Sequence, residues 1–347
     1  AMPVRVPMSI VYQVRSGALS GFLSLLASLK GDADALLAEV GLDRAVLADP
    51  DRLIAIEQLA TLLDNCATRL ECADFGLRLA SYQGIDMLGV LGRVLLTAST
   101  LGAAFNAAQR FMALHNKAEH WRMREEGGRV CLHRIEHFYA IDNPRQYREM
   151  ALGACCRLVR AFGGEDLRPL RAEFVHQPLA PLSRYRQFFG CEVLFNQEFD
   201  RLVFDPSVLQ RPLLPPDGQL LAQVDDYVRD LLSRCEESLE LQVRTLVSQT
   251  IGLQQHSLAH IAALLGLHPR ALQRRLLAEN LQFKALVQDV KMKTASWYLS
   301  ASSLEITQLA DMLGYAETAA FSKAFRLSQG LSPSQWRAVH GVSKPLI

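Results

Sequence analysis

Leu258-Ala-His-Ile-Ala-Ala-Leu-Leu-Gly-Leu267 and Ile306-Thr-Gln-Leu-Ala-Asp-Met-Leu-Gly-Tyr315 are two copies of one pattern, displaced by 48 residues. Apolar residues coincide at 258/306, 261/309, 265/313 and 267/315, Ala262 matches Ala310, and Gly266 matches Gly314. A small side chain at Ala262 and Ala310 lets two helices cross closely, where a bulky one would wedge them apart. Glycine four residues later supplies the left-handed backbone of a tight turn. An apolar residue six positions beyond each glycine, Leu272 and Ala320, is expected to anchor the second helix. That helix can then project from the surface. One Ala-x-x-x-Gly pair arises often in helical proteins, but two in register are hard to obtain by chance.

The second helix of each unit carries the chemistry. Counted from His268, the outward positions of the first are Arg270, Gln273 and Arg274, with Arg275 beside them and Leu272 and Leu276 facing in. Arginine can grip guanine O6 and N7 with two hydrogen bonds, and glutamine can do likewise with adenine. In the second unit Thr318, Ser322 and Lys323 point outward while Phe321 and Phe325 point in. That set is less basic and is expected to position more than to specify. Arg275 and Lys293 are candidates for phosphate contact. From residue 244 onward there are 11 Lys and Arg against 5 Asp and Glu, a net +6, while residues 1–243 carry −5. A basic end on an acidic body points to a polyanion-binding module, double-stranded DNA, attached to something else.

Here the C-terminal third resembles the DNA-binding domain of the AraC/XylS family of transcription regulators. The residues that carry the likeness are His268-Pro-Arg-Ala-Leu-Gln-Arg-Arg-Leu276 in the first unit and Leu309-Ala, Leu313-Gly-Tyr315, Phe321-Ser-Lys-Ala-Phe-Arg326, Gly330, Ser332-Pro333 and Trp336-Arg337 in the second. Between them, Lys291-Met-Lys-Thr-Ala295 and Leu299 fit the family's long connecting helix, with Lys293 where Arg is usual. Ala319-Ala320 departs from the polar residue the family commonly has before the Phe. The resemblance covers roughly residues 237–340. It implies two helices in successive major grooves on one face of the DNA, covering about two turns.

Residues ahead of this module read as mixed. Leu19–Leu29 and Asp32–Val40 have helical spacing, followed by Leu53–Leu70, Phe75–Tyr82, Leu88–Leu96 and Leu101–His115. Glu119–Arg124 and Arg129–Ile135, with Gly127-Gly128 between, read as a hairpin. Gln146–Phe162 and Leu182–Phe189 return to helix, and Leu170–His176 and Val193–Phe204 read as strands. Asp205–Gly218 holds four prolines and a terminal glycine, which marks a linker, followed by helices at Gln219–Arg234 and Glu236–Gly252. The expected architecture is an α+β N-terminal regulatory domain followed by an all-α DNA-binding domain of two helix-turn-helix units joined by a long helix. Its expected divisions are an N-terminal extension with a cloning scar (1–17), an effector-binding and dimerisation domain (18–204), a linker and connecting helix (205–236), the double helix-turn-helix (237–340) and a tail (341–347).

From Ala18 to Pro212 the chain resembles the arabinose-binding-like N-terminal domain of one AraC subgroup. The supporting segments are Asp74-Phe-Gly-Leu-Arg-Leu-Ala80, Met87-Leu-Gly-Val-Leu-Gly92, Arg171-Ala-Glu-Phe-Val-His176 and Phe189-Gly-Cys-Glu-Val-Leu-Phe195. Nothing in them indicates arabinose, and the resemblance implies a small-molecule effector of unspecified kind. Polar candidates for contacting it are His115, Trp121, His133, His137 and Tyr139, with His120 nearby. A hydrogen-bonded structural role is the competing reading for each His. No metal is expected, because His133 and His137 alone do not supply a ligand set, and no cofactor is expected.

Composition agrees. A chain of 347 residues suits two domains, and 50% hydrophobic with 21% charged is ordinary for a globular protein. No stretch of 18 uninterrupted apolar residues exists, and no secretory signal pattern opens the chain, so a cytoplasmic, nucleoid-associated protein without membrane contact is expected. Seven cysteines without a CxxC pair read as reduced, buried thiols. RNA polymerase and a second copy of the chain are expected partners. Two other readings compete: a ligand-independent regulator whose front domain only dimerises, and an enzyme fused to a DNA reader. The latter would need a reactive cysteine cluster.

Overall fold

The computed structural model describes residues 12–84, 87, 92, 95, 98–115, 119–136, 143–214, 222, 226, 229, 232, 233, 238–251, 256–301 and 304–341. His137, Tyr139, most of Leu88–Leu96 and most of Gln219–Arg234 lie outside the described residues.

Two antiparallel strands, β1 (Gln13–Arg15) and β2 (Leu53–Ala55), bracket the first helices. These are α1 (Phe22–Ser28), α2 (Ala33–Glu39) and α3 (Ala45–Ala48), with α4 (Ile56–Arg69) and α5 (Phe75–Ala80) after β2. Asp32 opens α2 by accepting from the N–H of Asp34 and Ala35, which satisfies amides the helix itself cannot. Along α4, Ile56, Leu59, Ala60, Leu62, Leu63 and Cys66 are buried, the one-sided spacing of a core-facing helix. Of the segment 1–17, the described residues 12–17 pack with the body: Tyr12 and Val14 are in the core, and β1 needs β2 to satisfy its backbone. Likewise the run from Leu53 begins as strand and turns helical only at Ile56.

A second layer is built on α6 (Leu101–His115), the hairpin β3 (Glu119–Glu126) and β4 (Arg129–Glu136), and α7 (Arg145–Gly163). Gly127 and Gly128 both have positive φ (55° and 71°), as a two-residue hairpin turn requires. Then come β5 (Arg171–Glu173), α8 (Leu182–Phe189), β6 (Glu192–Leu194) and β7 (Asp200–Phe204). The five-strand sheet runs β3-β4-β7-β5-β6, antiparallel except for the β5–β6 pair. The expected strand 193–204 is in fact two, broken where Asn196 takes φ 55°. Arg134, its side chain wholly buried, pairs with Glu119, Glu136 and Asp200 (3.0 Å) and ties β3, β4 and β7 together. Removing one partner of such a buried cluster costs about 3–5 kcal/mol.

The breaker-rich segment from Asp205 does not leave the body at once. Pro206–Gln210 forms a tight helical turn that buries Val208. Beyond it the N–H of Leu101 donates to Arg211 O (2.9 Å) and that of Leu214 to Phe162 O (2.9 Å). The prolines remove donors but do not prevent these acceptors and flanking amides from pairing, so residues 205–214 run hydrogen-bonded along the front domain.

The C-terminal part is helical: α9 (Leu239–Thr250), α10 (Leu258–Leu264), α11 (Pro269–Ala278), α12 (Phe283–Ala301), α13 (Ile306–Met312), α14 (Thr318–Gln329) and α15 (Pro333–His340). One continuous core, from Val243 through Leu272, Leu299 and Phe325, runs under both repeated units. The front domain meets it through α6, which packs on α9 and α13, and through an edge-on contact of the Tyr12 and Trp297 rings at 6.4 Å. Among the described residues no helix is long and apolar enough to cross a membrane.

Candidate nucleic-acid interface and ligand cavity

Each repeated unit is a helix, a tight turn and a second helix, positioned by the residue types the repeat carries. Ser257 caps α10 by accepting from His260 N–H (3.2 Å). Ala262 and Ala310 are buried at the helix crossings, and Gly266 and Gly314 take φ +66° and +77° in the turns. A side chain there would be forced into the left-handed region. His268 caps α11 through Nδ1, which accepts from Arg270 N–H (3.2 Å), with Pro269 at the first helical position where no amide is missed.

The anchor of α14 is not Ala320, which is exposed, but Phe321, which is fully buried together with Phe325. The reason lies in the turn. The N-cap position of α11 is His268, two residues after Gly266, whereas that of α14 is Glu317, three residues after Gly314. That extra residue rotates the second helix, so the helices superpose with an offset of 49: Leu272 on Phe321 and Leu276 on Phe325. Arg270 then corresponds to Ala319, Gln273 to Ser322 and Arg274 to Lys323, while Thr318 falls on Pro269.

Arg270, Gln273, Arg274 and Arg275 are exposed on α11, and Lys323 and Arg326 are exposed on α14, with Thr318 and Ser322 half-buried. None of these five cations has a carboxylate within ion-pair distance among the described residues. Several other described cations of the module are engaged, while Lys284 is exposed and has no carboxylate within ion-pair distance among the described residues. Arg244 pairs with Glu240 (2.7 Å) and with Asp289, and Lys293 reaches the same Asp289 at 2.9 Å. Those bonds hold the Asp289 carboxyl below its ordinary range. Lys291 lies over the Tyr315 ring (5.0 Å), its ammonium destabilised by burial, and Tyr315 donates to Gln288 Oε1 (3.1 Å). Trp336 Nε1 donates to Ser300 Oγ (3.1 Å), and Arg337 donates to the carbonyls of Leu299 (3.4 Å) and Leu304. Motif residues Tyr315, Trp336 and Arg337 thus fasten the second unit to α12. At 19 residues, α12 is roughly 28 Å long, close to the ~34 Å that separates successive major grooves on one face.

In the front domain, α6, α7 and the hairpin line a partly open cavity of about 220 Å³. Trp121 lines it, along with Gln83, Glu119, Phe105, Leu132 and Met150. His133 does not. It follows Leu132 on β4, so its side chain is on the opposite face, where Nε2 lies 3.2 Å from Glu126 and the ring meets Phe199 edge-on. Burial lowers its pKa, favouring the neutral imidazole. His115 ends α6, and its side chain is not among those described. Glu126, Cys131 and His133 come within 4.8 Å of one another in the manner of metal ligands, but the cation beside them is Arg201, 2.9 Å from Glu126 Oε2. The cavity's other walls escape a reading of the sequence because the Leu and Met spacing of α6 and α7 is the same whether a face meets side chains or empty space.

The six described cysteines are free thiols, and burial pushes every one up, Cys66 and Cys191 to about 12 and Cys156 to about 11. None is a ready thiolate nucleophile.

Two family models match the chain. Residues 31–213 match the arabinose-binding domain of AraC transcription regulators, N-terminal, and residues 261–338 match a helix-turn-helix domain. The chain is 28% identical over 335 residues to the HTH-type transcriptional regulator VirS of Mycobacterium tuberculosis, covering 95% of this chain and 98% of that one. It is 26% identical over 321 residues to the ornithine utilization regulator of Pseudomonas aeruginosa, covering 87% and 93%. The crystal structure of the transcriptional regulator CdpR from Pseudomonas aeruginosa aligns with a TM-score of 0.45 at 19% identity, covering 93% and 98%. The chain belongs to the AraC family of DNA-binding transcription regulators.

Proposed function

We propose that this regulator reads a specific operator chiefly through its first unit and that a small molecule in the front cavity adjusts how it binds. The observation that carries the reading is the exposed Arg270-x-x-Gln273-Arg274 face, free of ion pairs among the described residues, on a helix whose other face is locked in the module's core. Arg270, Gln273 and Arg274 contact base edges. Ser322 and Lys323, with Thr318 at the helix start, place the second unit. Arg275 contacts phosphate, and Lys293 does so while sharing Asp289. RNA polymerase is the partner through which a bound regulator acts on transcription, and a second copy of the chain would extend the site.

Arg270→Ala or Arg274→Ala is expected to cost about 1–3 kcal/mol of operator affinity and to relax base preference in one half of the site. Selection of bound sequences from a random pool, followed by titration of each variant on the recovered site, measures both. Wild-type affinity and preference in both variants would remove α11 from the role of base reader.

A further inference from the structure

On the proposed function the front cavity is the effector site, and the ligand class inferred for it rests on that reading. An apolar cavity of ~150 Å³ accepts benzene, so one of about 220 Å³ suits a ligand of roughly nine non-hydrogen atoms. Its walls are mostly hydrocarbon and ring, with Leu101, Phe105, Met123, Leu132, Met150 and Phe162 among them.

Two of the three charged groups at its edge are paired elsewhere. Arg15 donates to Asp51 and to Met87 O (3.2 Å), and Glu119 accepts from Arg134. Arg122 alternates along β3 with Trp121 and Met123, and its register partner is His133, so the pleat carries its side chain to the face away from the interior. A charged ligand would enter without a counter-ion. A sugar would bring several hydroxyls against walls that carry few polar groups to pair them.

One polar group among the described lining residues is buried with an unpartnered atom. Gln83 is 2% exposed, and its Nε2 donates to Ala18 O (2.6 Å). That bond fixes which end of the amide is which. Its Oε1 is buried and has no hydrogen-bond partner among the described residues. We propose that the cavity takes a neutral, mainly apolar molecule of phenol size whose hydroxyl donates to Gln83 Oε1, and that it takes neither a sugar nor an amino acid.

Calorimetric titration of the full chain with para-ethylphenol, para-ethyltoluene, L-arabinose and L-ornithine tests this, with operator affinity measured alongside. The phenol is expected to bind about tenfold tighter than the hydrocarbon, the difference one well-made hydrogen bond supplies. Gln83→Leu should erase that preference while the hydrocarbon still binds, which shows the cavity intact. Ala108→Leu, which fills the space, should weaken both. Arabinose or ornithine binding in an Ala108-sensitive manner would overturn the ligand class and leave the effector site standing. No binding by any of the four, or binding indifferent to Ala108→Leu, would overturn both. An undiminished phenol preference in Gln83→Leu would overturn the role of Gln83.

Discussion

Phe321→Ala and Ala320→Gln, one residue apart on α14, should differ by nearly the whole stability of a core contact. Phe321 is 0% exposed and sits between the rings of Tyr315 (5.5 Å) and Phe325 (5.8 Å). Truncating a buried Phe costs about 3–5 kcal/mol, because transfer and cavity costs add. Ala320 faces solvent, and lengthening it there should move stability by no more than about 0.5 kcal/mol. With a urea slope of about 2 kcal/mol per molar, the first variant loses about 2 M of midpoint and the second almost nothing. In a two-domain chain the signal must come from this module alone. Trp336, 5.7 Å from Phe325, provides it in a background where Trp121 and Trp297 are Phe. Equal midpoint losses in the two variants, or a larger one for Ala320→Gln, would refute the offset of 49 and with it the pairing of Arg270 with Ala319.

Lys323→Ala should weaken operator and random DNA alike and lower the slope of log affinity against log salt by about 0.9, as loss of one phosphate contact requires; a slope equal to wild type in a filter-binding salt series would deny that contact. Glu149→Gln should change how stability depends on pH. Burial holds the Glu149 carboxyl up at about 8 against an ordinary 4.5, with the Tyr185 hydroxyl 2.6 Å from Oε1. The folded value is the higher one, so its stabilisation is complete below about pH 4.5 and fades as pH rises toward 8. The Gln variant should therefore gain on wild type as pH rises from 5 to 8 in thermal melts, and a loss across that interval would reverse the sign of the reasoning.

The paired units are legible in the sequence because each position in them admits few residue types. A helix crossing needs something as small as Ala262, a left-handed turn needs something like Gly266, and both recur at one offset. The glycine motif sets the second recognition helix one residue out because it ends before the turn does. Phe321 and Phe325, spaced as Leu272 and Leu276 are, hold the correct register and conflict with Ala320 as an anchor. The break at Asn196 is harder to read, since Val193-Leu-Phe195 and Leu202-Val-Phe204 are equally strand-like and the residues between the strands, 195–199, include no Gly or Pro to mark the positive φ at Asn196. The cavity has no local signature. Its walls come from positions between Val14 and Phe162 on separate elements, and a face lining space has the same period as one lining side chains.

Coupling between that cavity and the DNA-binding module needs an element that touches both, and α6 does. Leu101, Ala104, Phe105 and Ala108 line the cavity, while the same helix packs on α9 and α13, the helix that precedes the second turn. A ligand shifts binding only by its difference in affinity for two positions of such an element. A ligand of roughly nine atoms has at most about 1.5 kcal/mol per atom of total binding energy, and typical coupling takes only about 1–3 kcal/mol of it. A complete switch, from 1:99 to 99:1, would take about 5.5 kcal/mol of difference. Because α11 is held by the same core as α13 rather than by α6, the difference should fall mainly on how the second unit clamps the backbone. An effector would then change affinity by about 5- to 150-fold while leaving the base preference of Arg270, Gln273 and Arg274 in place.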